Sequence, residues 1–128
     1  MTVLDTHIAP DLDAILAGLS HLQSVRASAV ARRDGVMIEH DLPREIDARK
    51  VAAIAATILG TGEFAAAELG LGTFQKIMVY GSEGTMVAVG AGEEALLLTL
   101  ARGEANVGLL LLAVERGARS VADSLKGT

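Results

Sequence analysis

Three histidines, His7, His21 and His40, are the residues of this chain with the clearest chemical potential, because imidazole binds metals and moves protons near neutral pH. They are far apart and lack the i,i+4 or short-loop spacing of a metal site, so ordinary surface or cap roles and no bound metal are expected. Gly90-Ala91-Gly92 is a single G-x-G followed by Glu93-Glu94, whose charges would repel a phosphate, and it reads as a turn. Gly81-Ser82-Glu83-Gly84-Thr85 has the outline of a phosphate loop without a Lys before the hydroxyl residue, and it reads as a hairpin turn. No Ser, Thr or Asp stands in a motif with a His partner, which leaves nucleophilic catalysis without support. The carboxylates Glu39, Asp41, Glu45 and Asp47 gather before a helix start, where negative charge suits the helix dipole. With no Cys, disulfides, thiolate zinc sites and cysteine nucleophiles are excluded. Neither an enzyme nor a cofactor is expected.

Composition narrows the rest. The 128 residues amount to one domain, with residues 1–9 as a short tail and 10–126 as the domain. Hydrophobic residues make up 51%, enough for a core, but aromatics are only 2% and Gly numbers 14. The core must therefore use Ala, Val, Leu and Ile with close backbone contacts. A net charge of -5 and the lack of a basic patch argue against nucleic acid as the main partner. Asp5 and His7 stand where a signal peptide would need basic and then apolar residues. Uninterrupted apolar runs such as Val107 to Val114 fall well below the roughly 20 residues of a membrane span. A soluble, cytoplasmic protein without a membrane span is expected.

Pro10 and Asp11 open a first helix, with Leu12, Ile15, Leu16 and Leu19 at helical spacing to about Leu22. A period of two from Val25 predicts a strand, Asp34-Gly35 a hairpin turn, and Val36 to about Asp41 the returning strand before Pro43. A long helix follows from about Glu45 to Leu69, stopped by Gly70 and Gly72. Three strands, TFQKIMVYG, TMVAVGAG and ALLLTLA, come next, and Asn106 caps a last helix. The order α-β-β-α-β-β-β-α predicts an α+β fold: a five-stranded antiparallel sheet with the central helix on one face and the terminal helices on the other.

The central helix is unusual. Taking about 100° per residue, Val51, Ile54, Ala55, Ile58, Gly62, Ala65 and Leu69 fall on the side for its own sheet. Ala48, Ala52, Leu59, Ala66 and, at the margin, Glu63 form a smooth flank. Arg49, Ala53, Gly60, Phe64 and Ala67 lie roughly opposite the sheet. Ala is the best helix former, so a merely stable exposed helix is one explanation. Gly60 and Gly62 oppose it, since each costs on the order of 1 kcal/mol relative to Ala, and a surface shaped for solubility would use Glu and Lys. A helix smoothed for close packing against another chain is expected.

These elements, with VRASAVARRDGVMIEHDLP as the hairpin, the Ala-rich helix and ANVGLLLLAVE at the last helix, resemble the roadblock family of dynein light chains and of bacterial and archaeal regulators of Ras-like GTPases. The resemblance runs from about Asp11 to Leu125 and rests on order and spacing. It implies a homodimer in which central helices lie side by side and third strands pair, giving Ala52, Leu59, Glu63, Ala66, Phe74, Lys76, Met78 and Tyr80 as interface residues. It also implies a non-catalytic scaffold or co-regulator of GTP hydrolysis. On that reading Arg49, Ala53, Gly60, Phe64 and Ala67 form the GTPase surface. No partner-binding tail is expected beyond the domain. The alternatives are a dimeric scaffold module of a complex without a GTPase and, third, a small-ligand sensor, for which the scarcity of aromatics is unfavourable.

Overall fold

The computed structural model describes residues 11–103 and 105–126, so Asp5, His7, Pro10 and the expected tail 1–9 lie outside the described residues. The elements are α1 (Leu12–Ser20), β1 (Val25–Arg32), β2 (Met37–Asp41), α2 (Ala48–Glu68), β3 (Lys76–Tyr80), β4 (Gly84–Ala91), β5 (Ala95–Arg102) and α3 (Val107–Lys126). The strands form one antiparallel sheet in the order β2-β1-β5-β4-β3, which leaves β2 and β3 as its edges. The expected α+β order is the one observed.

Local chemistry sets the boundaries. Asp11 caps α1 by accepting a bond from the Ala14 amide at 2.9 Å. Asp34 accepts from the Val36 amide at 3.1 Å while Gly35 takes φ +91°, which closes the β1–β2 hairpin. The long helix starts at Ala48, three residues later than expected. Pro43 to Ile46 form a turn, with the Ile46 amide on the Pro43 carbonyl, and Asp47 is the cap. It ends where Gly70 takes φ +66° and the Leu71 amide returns to the Ala66 carbonyl. Asn106 caps α3 by accepting from the Leu109 amide.

Each sheet face has its own core. Under α1 and α3, Leu16, Leu19, Leu110, Val114 and Val121 meet Val30, Val87, Val89 and Leu97. Under α2, Val51 and Ala55 meet Ala29, Ala31, Ala88, Leu96 and Leu98. Alternation along β4 and β5 sends successive residues to opposite faces, which is why both strands read as continuous apolar runs.

Two close approaches fix α2. A Cβ built on Gly35 would lie 2.8 Å from the Ala56 Cβ, so the hairpin tip rests directly on the helix. A side chain at Gly62 would collide with the Phe74 ring. Phe74 therefore turns under the helix, and β3 begins at Lys76 instead of Thr73.

Ser28 and Thr99 face each other across β1 and β5, fully buried, and neither hydroxyl has a hydrogen-bond partner among the described residues. A Thr99→Val variant is expected to be more stable, by about 1 kcal/mol, because it removes an unsatisfied buried hydroxyl at constant shape. A lower melting temperature for this variant would show instead that the two hydroxyls bond each other. Gly35→Ala is expected to cost at least about 1–2 kcal/mol in chemical denaturation, combining left-handed backbone strain with the clash on Ala56.

Candidate functional site

The residues first singled out for chemistry do not converge. His21 is the C-cap of α1 and His40 sits on the edge strand β2. No group of three His, Cys, Asp or Glu side chains able to hold a metal occurs among the described residues. Gly90 and Gly92 serve an arginine. A Cβ on Gly90 would come 3.0 Å from Arg33 Nη2, and the same nitrogen donates to the Gly92 carbonyl at 2.7 Å. Arg33 Nη1 donates to Glu63 Oε2 at 2.9 Å, and the Arg33 amide donates to the Glu94 carbonyl. One half-buried guanidinium thus ties the β1–β2 hairpin, the β4–β5 turn and α2 together. The segment Gly81 to Gly84 is a hairpin turn, with the Gly81 amide on the Gly84 carbonyl. Asp47 does cap α2, accepting from the Arg49 amide at 2.9 Å.

What the chain does present is uncovered apolar surface along α2. The helix has 21 residues and is, by length and composition alone, apolar enough to cross a membrane, although charged and small polar residues interrupt its apolar run. It lies on the sheet, and only 33% of its apolar window is buried. The buried residues are Val51, Ala55, Leu59 and Ala66. The helix is therefore turned by about half a residue step from the expected phase, and two corrections follow. Leu59, 2% exposed, and Ala66 lie inside the protomer and offer no side-chain surface to a second copy. Ile54, 46% exposed, and Leu69, 70% exposed, stand outside, where a sheet contact had been expected.

The smooth flank is largely used at home. Ala52 is half-buried with its carbonyl beside Gly35, and Glu63 is held by Arg33. Phe74 is likewise a core contact beneath Gly62. By contrast Arg49, Ala53, Gly60, Phe64 and Ala67 are all exposed, Phe64 at 68%, and a Cβ on Gly60 would meet nothing within 4 Å among the described residues.

The second part of the surface is β3. Hydrogen bonds from Gly90 to Gln75 and from Gly81 to Gly84 fix the alternation of its pairing with β4. The backbone groups of Lys76, Met78 and Tyr80 consequently point off the sheet. Their side chains remain with the protomer: Lys76 Nζ donates to Glu115 Oε2 at 2.5 Å, Met78 packs on the core beneath α3, and the Tyr80 hydroxyl reaches Met78 Sδ. Val79, Tyr80, Leu69 and Leu71 are exposed. Leu71 was missed by sequence reasoning. The alternation Leu69-Gly70-Leu71-Gly72, which places a leucine just past a helix-ending glycine, is the signal that could have found it.

Comparison with known proteins agrees with this architecture. The family model described as the Roadblock/LC7 domain matches residues 12–101. The uncharacterised protein MJ1340 of Methanocaldococcus jannaschii is 34% identical over 110 residues, covering 86% of this chain and 96% of that protein. A Roadblock/LC7 domain from Streptomyces avermitilis superposes with a TM-score of 0.84 at 23% identity, covering 91% of this chain and 99% of that one. MglB in a tetrameric arrangement superposes with a TM-score of 0.82 at 21% identity, covering 91% and 88%. At such identities the two structures speak for the fold alone. The family match over most of the chain, on a fold of the same element order, carries the assignment: the chain belongs to the Roadblock/LC7 domain family.

Proposed function

We propose that the chain acts as a homodimeric, non-catalytic platform that binds and regulates a Ras-like small GTPase, as scaffold or as co-regulator of GTP hydrolysis. The observation that carries this reading is the outer face of α2, a smooth apolar surface that the protomer leaves open around Gly60. A glycine in a helix interior costs about 1 kcal/mol relative to alanine. At Gly62 the Phe74 ring accounts for that cost; at Gly60 nothing among the described residues does. A partner backbone or side chain lying directly on the helix would account for it. Arg49, Ala53 and Ala67 extend the face, with Phe64 at its border, and uncovered apolar patches of this kind usually mark protein contacts.

The dimer draws on the β3 edge. An apolar edge strand with free amides and carbonyls invites pairing, and a symmetry mate satisfies it. The tetrameric arrangement of MglB shows a similar fold in an assembly of several copies. Pairing two β3 edges would place both α2 faces on one side of a continuous sheet. A single GTPase over the two-fold axis would then engage both protomers. A cytoplasmic setting, where such GTPases work, is part of the reading.

Hydrogen exchange tests the dimer. The amides of Lys76, Met78 and Tyr80, which no strand among the described residues pairs, are expected to exchange as slowly as those of Ile77 and Val79. They should become fast on dilution below the dissociation constant. Uniformly fast exchange of the three at micromolar concentration would show that β3 has no partner. The GTPase surface is tested by Gly60→Arg, which favours the helix but covers the smooth face. After capture of a Ras-like GTPase from the native host and purification, its nucleotide-dependent rebinding is expected to weaken at least tenfold for the variant, with the dimer intact. Unchanged affinity would exclude this face, and the absence of any GTPase in the capture would favour a scaffold of another complex.

A further inference from the structure

The helices α1 and α3 cover the face of the sheet opposite α2. They run antiparallel. Leu22, just past the end of α1, shares a cavity wall with Leu109 at the start of α3, while Ile15 and Leu19 reach Gly117 farther along. Between the two helices lies a groove of about 390 Å³ with nearly bare walls, where Ala14 and Gly18 look across to Ala113, Gly117 and Ser120. The two glycines differ in what they answer to. A Cβ on Gly117 would come 3.1 Å from Leu97 Cδ2, so this glycine lets α3 settle on the sheet. A Cβ on Gly18 would meet nothing within 4 Å among the described residues.

The run Leu109-Leu110-Leu111-Leu112 that opens α3 is more apolar than its packing needs. Leu110 is in the core and Leu111 packs against it. Leu109, 65% exposed, and Leu112 stand outward instead, and Leu22 is exposed beside Leu109. Arg116, one turn past Leu112, lines the groove, and Arg119 follows on the exposed side of the helix. Neither guanidinium makes an ion pair among the described residues. Of the two carboxylates on α3, Asp123 lies one turn past Arg119, and Glu115 turns aside to Lys76. A chain with a net charge of -5 thus presents here an apolar groove with a cationic rim.

We infer that the groove between α1 and α3 receives an amphipathic helix of another protein. Its apolar anchors would lie on Leu22, Leu109 and Leu112, and its carboxylates over Arg116 and Arg119. Small walls let a helix backbone come close, and the distance from Leu109 to Ser120 along α3 is about 16 Å at 1.5 Å per residue, enough for three turns of a guest helix. The charge of the guest follows from the two free arginines, which a carboxylate would complement. A second copy using the same surface would set each arginine against a leucine or another arginine, and so brings neither a carboxylate. The groove lies across the sheet from the outer face of α2, so this inference stands or falls apart from the GTPase reading.

Fluorescence anisotropy with two labelled peptides tests it. Both are amphipathic helices of about 14 residues with leucines at i, i+3, i+7 and i+10; one carries glutamates at the remaining positions and the other lysines. The glutamate peptide is expected to bind the wild-type chain at micromolar concentration and the lysine peptide at least tenfold more weakly, with the gap narrowing as salt rises. Arg116→Glu, at an exposed position, should keep the wild-type circular dichroism and weaken the glutamate peptide at least tenfold, whereas Gly60→Arg should leave it unchanged. Equal binding of the two peptides, no binding of either, or indifference to Arg116→Glu would overturn the inference. So would loss of binding in Gly60→Arg, which would place the peptide on α2. Binding that appears only after deletion of residues 2–9 would assign the groove to the chain's own beginning. A change of sedimenting mass in Arg116→Glu without peptide would assign it to a second copy; either result overturns the proposal of a separate partner.

Discussion

The contact on which the rest of this structure depends is the direct approach of backbone to α2. The hairpin tip at Gly35 rests on Ala56 and the Ala52 carbonyl, and the Phe74 ring lies under Gly62. Both contacts need a missing or minimal side chain on the helix, and both are made by segments outside it, one before its start and one after its end. They set the helix phase, which puts Leu59 and Ala66 inside and Ile54 and Phe64 outside. A helix with larger side chains at Ala56 or Gly62 would have to lift off the sheet, and the core of Ala29, Ala31, Ala55 and Ala88 is too small-sided to fill the gap.

Arg33 reinforces that placement electrostatically. Its guanidinium reaches α2 through Glu63 and the β4–β5 turn through the Gly92 carbonyl. The end of the sheet beside the turns is thus closed by a charged brace, whereas the flank of α2 carrying Lys50, Ile54, Thr57, Thr61, Phe64 and Glu68 is left without one. The division has a simple physical sense. Polar bonds fix the helix where it meets its own chain. Its apolar and small residues stay open on the remaining sides, where shape alone can admit a partner.

Much of this was legible in the residues. The Asp-Gly hairpin, the capping role of Asn106, the glycine stop after the long helix and the two-sided burial of β4 and β5 each follow from local chemistry that no tertiary contact overrides. The helix phase was not legible. Ile54 and Leu69 are larger and more apolar than Ala55 and Ala66, so a hydrophobicity argument turns them inward. The close approaches of Gly35 and Phe74 decide otherwise, and they depend on contacts between residues some 12 to 21 positions apart. For the same reason the smooth flank around Ala52 read as a surface for another molecule when it mainly seats the chain's own hairpin. Gly90 carried no visible link to Arg33, because its missing side chain makes room for a guanidinium from the β1–β2 turn, while Gly92 answers to a positive φ in the β4–β5 turn, where its carbonyl accepts from the same arginine.

The two helix glycines separate internal from external causes. Both interrupt an alanine-rich helix, and by propensity alone they are equally costly. At Gly62 the missing side chain is matched by an aromatic ring from the same chain, so the cost is offset by packing. At Gly60 no atom of the described residues stands within 4 Å of where a Cβ would lie. A chain that retained glycine there only for its own stability would do better with alanine, which fits without contact. The asymmetry between two residues one half-turn apart therefore points outward at Gly60, to the same side as Ala53 and Ala67, where the proposed platform would need its surface to be flat.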